Sequence, residues 1–253
     1  LEKEGIKIHY EDDVALIPSE FTSCKEKTLV IYTPAIPDNH SEYQFFLKNG
    51  YNIIKRSRAL GNIASQKRCL AISGTHGKTT TSTLLAHIFT QSGRGCTAFL
   101  GGISKNYHSN LLLDKRDYLV AEADEFDRSF LQLYPEMAVI TSIDADHLDI
   151  YSTHNKIKEA FSEFASQVKS DGALIVKKGT DLDLSAVKAK RVYEYSYDIP
   201  CDFYASSIKV LKDGFFNFDL NYPDGVIQNC TVGIPGWINI ENSIAASSIA
   251  LLE

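Results

Sequence analysis

The residues best placed to do chemistry are a lysine and a threonine inside "LAISGTHGKTTTSTLLAHIF", residues 70–89. An apolar run ends at Gly74, a short glycine-containing turn follows, and Lys78-Thr79 open a helical pattern. That layout gathers free backbone N–H groups and the positive end of a helix at one point, which suits a phosphate. Gly77 permits close backbone approach, Lys78 offers a cation to terminal phosphates, and the Thr79 hydroxyl can ligate Mg²⁺. The spelling departs from the common phosphate loop, which places four residues between its glycines. Here only Thr75 and His76 separate Gly74 from Gly77, and Ile72 stands where the first glycine would be.

Three later stretches carry further polar groups. In "DYLVAEADEFDRSF" an apolar strand delivers Glu122, Asp124 and Glu125 at its end. Phosphate-loop proteins supply a metal-binding carboxylate in this way, and Glu122, nearest the strand end, is the predicted ligand. In "VITSIDADHLDIY" another apolar run ends in Asp144, Asp146, His147 and Asp149. Open α/β sheets bind ligands at such strand ends, yet imidazole is a less usual partner for Mg²⁺ than oxygen. The residues alone leave His147 equally a ligand or a solvated side chain. In "GIPGWINIENSIAA", Asn239 and Asn242 lie three apart at a helix start. Spacing alone favours Asn239 as an N-cap and Asn242 as an exposed neighbour.

The elements that must position these groups alternate between strand and helix, which predicts an α/β fold with a parallel sheet. In residues 1–66, "LVIY" (29–32) reads as a buried strand, and a helix runs from a Ser41 N-cap to a stop at Gly50. "YNII" is then a strand and "KRSRALGNIA" a basic helix, together about half of a doubly wound unit. From Lys67 the alternation restarts with "RCLAISG", followed by a helix with Leu84, Leu85, Ile88 and Phe89 on one side. "CTAFLGG", "DYLVAEAD", "EMAVITSID" and "ALIV" are further strands, and Ile157, Phe161, Phe164 and Val168 mark one helical face. After about Arg191 four β-rich runs separated by Gly, Pro and Asp predict an added antiparallel sheet. A last helix carries Ile240, Ile244 and Leu251 on one side.

Bulk properties narrow the classes. The 253 residues suit one large or two smaller domains, and 44% hydrophobic with 23% charged residues is ordinary for a globular protein. No apolar run is long enough to span a bilayer, and the first residues lack a signal-peptide layout. A net charge of −6 argues against nonspecific nucleic-acid binding. Five widely spaced cysteines without a C-x-x-C pair fit reduced core thiols of a cytoplasmic protein. Leu1 in place of Met, and an apolar Leu251-Leu252 just before the last residue, lead us to expect a truncated chain.

Taken in order, "SGTHGKTTT", "EADEFDRSFL", "DADHLDIY" and "NIEN" resemble the Mur ligase family, and the shortened loop is that family's own form. The resemblance spans nearly all of the chain, with "YTPAIPDN" and "KRSRALGNIA" included. It implies a three-domain enzyme. Residues 1–66 correspond to the later part of a UDP-sugar-binding Rossmann-like domain, and 67–253 to a truncated central ATP-binding P-loop domain with an added antiparallel β region. A C-terminal amino-acid-binding domain would lie outside the chain, leaving these residues inactive alone. The implied reaction is ATP-dependent ligation of L-alanine to the lactoyl carboxylate of UDP-N-acetylmuramate through an acyl phosphate, in peptidoglycan precursor synthesis. No protein nucleophile is required, and none is recognisable. Implied cofactors are ATP and Mg²⁺.

By the same resemblance Gly74, Thr75, Gly77, Lys78, Thr79 and Thr80 hold the phosphates, with Lys78 on the β/γ groups. His76 lies near the reacting carboxylate, Thr79 and Glu122 hold one Mg²⁺, and His147 supports a second. Asn239 and Asn242 resemble a segment on the adenine side. Many members carry an Arg-His pair before the first asparagine, where this chain has Trp237 and Ile238. A murein-peptide-recycling ligase shares the loop but departs from the second and third motifs. From the residues alone, another phosphotransferase or a nucleotide-binding regulatory module stays open.

Overall fold

The computed structural model describes residues 2, 5–144, 151 and 153–253. The chain forms two compact units, Leu1–Leu60 and Gly61–Glu253. The division falls inside a helix rather than after it, where the sequence places the boundary.

In the first unit β1 (Leu29–Tyr32) and β2 (Asn52–Lys55) pair in parallel, from Leu29↔Asn52 to Tyr32↔Lys55. A short α1 (Ser19–Thr22) precedes them, α2 (Ser41–Lys48) joins them, and α3 (Arg56–Ala64) follows. β1 is not the buried strand expected. Leu29 and Ile31 are about half exposed, while Val30 and Tyr32 alternate onto the other side, where Tyr32 meets Tyr43 of α2 at 5.2 Å. A two-stranded sheet with a helix on one side buries only every second residue. Nor is Ser41 the N-cap. It is the first helical residue, and its backbone N–H donates to Asp12 Oδ2 at 2.8 Å. An acceptor from far back in the chain thus caps the positive helix end.

The second unit is built on a ten-stranded sheet in the order β12-β11-β10-β9-β8-β7-β3-β6-β4-β5 among the described residues. Its first half contains β3 (Arg68–Ser73), β4 (Thr97–Ser104), β5 (Ser109–Leu112), β6 (Tyr118–Glu122) and β7 (Met137–Ile140). The rest are β8 (Ala173–Lys177), β9 (Arg191–Ser196), β10 (Phe203–Val210), β11 (Phe216–Tyr222) and β12 (Gly225–Val232). From β4 to β10 every neighbouring pair is parallel. The predicted antiparallel region exists but starts later than Arg191. β9 runs parallel to both neighbours, and only β11 and β12 reverse. A second antiparallel edge strand, β5 on β4, has no clear signal in "SNLL" because its residues are polar or only partly buried.

β3 lies between β6 and β7, so the chain leaves it towards one side and later returns on the other. Such a reversal of strand order opens a crevice at the carboxyl ends of the strands. The central strands are buried on both faces, which explains their uninterrupted apolar runs. Leu70, Ile72, Val120 and Val139 pack with α4 (Lys78–Gln91) and with a late helix whose Ile240, Ile244 and Ile249 are fully buried. Outside that cluster, α5 (His154–Ser166) buries Ile157, Phe161 and Phe164, three of the four predicted face residues. The fourth, Val168, is also buried. Thr153 caps α5, its side chain accepting from Lys156 N. Phe130 stacks on Phe164 and meets Phe161 edge-on at 5.2 Å. The late helix is α6 (Ile238–Leu252). Among the described residues no helix is long and apolar enough to cross a membrane.

Two outcomes can be measured. Phe161→Ala removes a fully buried ring, and denaturant titration should show a loss of about 3–5 kcal/mol. All five cysteines are free, but only Cys69 and Cys96 are core residues, and burial pushes both thiols up to about 12. A disulfide reagent at pH 8 should therefore leave these two unmodified until denaturant is added.

Candidate functional site: a phosphate loop at the sheet switch point

The loop between β3 and α4 is fixed by its neighbours before any ligand is considered. Gly74 has φ +132°, and a Cβ there would sit 2.0 Å from Thr141 Oγ1 and 2.9 Å from Thr141 N, at the end of β7. No side chain fits between the two strand ends. Thr141 N donates to Ser73 O at 2.9 Å, and Thr141 Oγ1 donates to His76 O at 2.5 Å. Thr75 N donates to Ser142 O at 2.9 Å, and His76 N donates to Ser142 Oγ at 3.1 Å. Asp144 N donates to Thr75 Oγ1 at 3.1 Å. The turn is thus stitched to the strand end that follows β7.

Gly77 has φ +82°, a left-handed conformation that glycine adopts without a steric penalty. A Cβ there would lie 2.6 Å from Asn242 Oδ1. Asn242 is buried rather than exposed. Its Oδ1 accepts from Thr81 Oγ1 at 3.3 Å, and its Nδ2 donates to Asn239 Oδ1 at 3.2 Å. Asn239 is not the N-cap. It is the second residue of α6, behind Trp237 and Ile238, and its Nδ2 donates to Pro235 O at 2.8 Å. The three-residue spacing faces the two amides together, and packing against the loop draws them inside.

α4 begins at Lys78 with no side-chain cap, so its first N–H groups are available at the loop. Thr75, His76, Gly77, Lys78, Thr79, Thr80 and Glu122 line a cavity of about 340 Å³. Glu122 ends β6, next to β3 in the sheet, and its Oε1 accepts from Thr79 Oγ1 at 3.1 Å. Its Oε2 accepts from Gly101 N at 2.9 Å, and a Cβ on Gly101 would stand 2.3 Å from that oxygen. Thr79 and Glu122 therefore present two oxygens side by side, the donor type that suits Mg²⁺. Lys78 Nζ lies 2.7 Å from Gly74 O and 2.9 and 2.8 Å from the two oxygens of Glu125. His76 is largely exposed, with Nε2 3.5 Å from Asp144 Oδ2.

The structure thus brings together Gly74, Thr75, His76, Gly77, Lys78, Thr79, Thr80 and Glu122, with Asn242 and then Asn239 behind the loop. His147, with Asp146 and Asp149, lies outside the described residues. Choosing one carboxylate from "EADE" passed over Glu125, which partners Lys78 instead. Gly101 and the Thr141-Ser142 pair were also missed, although a Gly-Gly and a Thr-Ser closing apolar strands are visible signals. Tyr151 OH donates to the backbone oxygen of Glu125 at 2.5 Å, and burial pushes its phenol up to about 12.

Comparison with known proteins places this arrangement. UDP-N-acetylmuramate–L-alanine ligases of Parabacteroides distasonis and Porphyromonas gingivalis are 50% and 48% identical over 100% and 99% of the chain. The chain covers 54% and 55% of those relatives, about half their length. Among solved structures, UDP-N-acetylmuramate:L-alanyl-γ-D-glutamyl-meso-diaminopimelate ligase from Neisseria meningitides matches with a TM-score of 0.83 at 21% identity. It covers 99% of this chain and 80% of that one. UDP-N-acetylmuramate–alanine ligase from Thermotoga maritima matches with a TM-score of 0.75 at 22% identity, covering 89% and 51%. These two likenesses concern the fold. The Mur ligase middle domain matches residues 72–250, from the end of β3 to the end of α6, and the chain belongs to that family.

Proposed function

We propose that the full-length protein joins L-alanine to the lactoyl carboxylate of UDP-N-acetylmuramate at the expense of ATP, in peptidoglycan precursor synthesis in the cytoplasm. The observation that carries this reading is the convergence of Lys78, the open start of α4 and the Thr79–Glu122 oxygen pair on one cavity. The relatives named for that reaction supply its substrates. A Mur ligase from Thermotoga maritima has been solved with ADP, which supports a nucleotide here.

The residues fit both absent groups. Ser142 takes the N–H groups of Thr75 and His76, and the start of α4 carries no side-chain cap, so its first N–H groups are the ones open to phosphate oxygens. Thr79 and Glu122 offer hard oxygen donors for Mg²⁺, and we keep His147 as the support of a second ion. We place the adenine side at Asn239 and Asn242. The UDP-sugar is assigned to the N-terminal unit, as part of residues 1–66. A cavity of about 550 Å³ there offers Tyr32, Tyr43 and Phe46 faces with His40 beside them.

When bound, ATP would supply the phosphoryl group that turns the lactoyl carboxylate into an acyl phosphate, leaving ADP; the alanine amine would then displace phosphate and lose a proton to form the amide, and Mg²⁺ would screen the phosphate charge. The protein's own task is to align two anions and lower their repulsion. The N–H groups of the first turn of α4 hold phosphate oxygens, and Lys78 adds a charged donor. Glu122, oriented by Thr79 and Gly101, would hold the metal together with Thr79. His76, on the open side of the loop, faces the incoming carboxylate. No side chain needs to form a covalent bond with substrate.

In the full-length protein, ADP release should require UDP-N-acetylmuramate and L-alanine together. ADP release without the amino acid, leaving a stable phosphorylated product, would make it a simple phosphotransferase. Bound ATP with no alanine-dependent turnover would make it a regulatory module. Lys78→Ala should lower kcat about 10²–10³-fold in the same assay. Gly101→Ala puts a methyl where the Glu122 carboxylate lies, so melting temperature should hold while the Mg²⁺ requirement rises about 10–100-fold.

A further inference from the structure

Lys78 and Glu125 form a pair in which the carboxylate side chain is 1% exposed and the lysine side chain 14%. A lysine ammonium carries three protons. Three acceptors surround this one, namely Gly74 O and both oxygens of Glu125, all within 2.9 Å. In this state Lys78 has no proton left for a phosphate oxygen.

The backbone that carries this carboxylate is also held. Its own backbone oxygen accepts from Tyr151, and the next turn contains Asp127 and Arg128 with φ of +52° and +55°. Two successive left-handed residues that are not glycine mark a backbone fixed by its surroundings. Glu122 is already engaged by Thr79 and Gly101, so the two glutamates divide the work.

Building on the phosphate-loop reading above, we infer that Glu125 is a positioning residue which holds Lys78 closed and thereby sets the affinity for nucleotide phosphate. An incoming phosphate must take one Lys78 proton, and the least costly to release is one of the two donated to the same carboxylate. Withdrawing the ammonium entirely would cost the buried carboxylate both of these charge-assisted hydrogen bonds. Lys78 therefore stays bridged between Glu125 and the phosphate, aimed but restrained, and the pair offers a polyanion no net charge.

The test is ADP binding by calorimetry and ATP kinetics in the full-length protein. Glu125→Gln keeps the shape and one acceptor but removes the charge. Its Kd for ADP should fall by about fivefold or more, with a lower KM for ATP and a lower kcat. Damage to the structure would weaken binding, so tighter binding reports the charge itself. Glu125→Asp, which keeps the charge, should stay within about twofold of wild type. This second variant decides the matter if Glu125→Gln does not fold. An unchanged or raised Kd in folded Glu125→Gln overturns the inference. So does an Asp variant that gains or loses tenfold. A wild-type protein that binds neither ADP nor ATP overturns the phosphate-loop reading with it.

Discussion

Everything at the candidate site depends on how closely β3 and β7 approach at their carboxyl ends. A glycine hydrogen is all that fits between Gly74 and Thr141. That closeness lets Thr141 and Ser142 take up the polar groups of the turn, so the turn needs few residues of its own to hold its shape. The common phosphate loop is longer. Here the neighbouring strand end does part of the holding, and two residues between the glycines are enough.

Charge is the second constraint. Lys78 is matched by Glu125, and Glu122 and Asp144 add further negative charge around the same cavity. Left to these side chains, the site would repel a triphosphate. For the proposed triphosphate, dipolar groups and a divalent cation would make up the difference, in keeping with two oxygens placed side by side and an uncapped helix start. The −6 charge of the whole chain gives no hint of this local balance.

Much of the arrangement was legible in the sequence, and the gaps have physical causes. Continuous apolar runs such as "CLAI" and "MAVI" announced central parallel strands because both of their faces are covered. Glu122 was legible because it stands where β6 ends, beside the loop strand. Glu125 was not, since it lies three residues past the strand end and nothing in "EADE" says that it is buried against Lys78. β9 looked like the start of an antiparallel sheet because its alternation of exposed and buried residues is shared by parallel strands away from the centre. Asn242 was misjudged for a similar reason. Helical spacing says which side a residue is on but not what will pack there.

That asparagine carries a consequence for how the protein comes to be. Thr81 and Asn242 touch although 161 positions separate them along the chain, and Gly77 rests on the same amide. The loop is encoded early, and its floor is translated much later. On a ribosome, β3 and α4 would emerge well before α6 could dock beneath them. Contacts of such range are slow to form, because the closure entropy comes before the contact rewards it. The candidate site is therefore completed late in folding, and the strands between its two halves must find their order first.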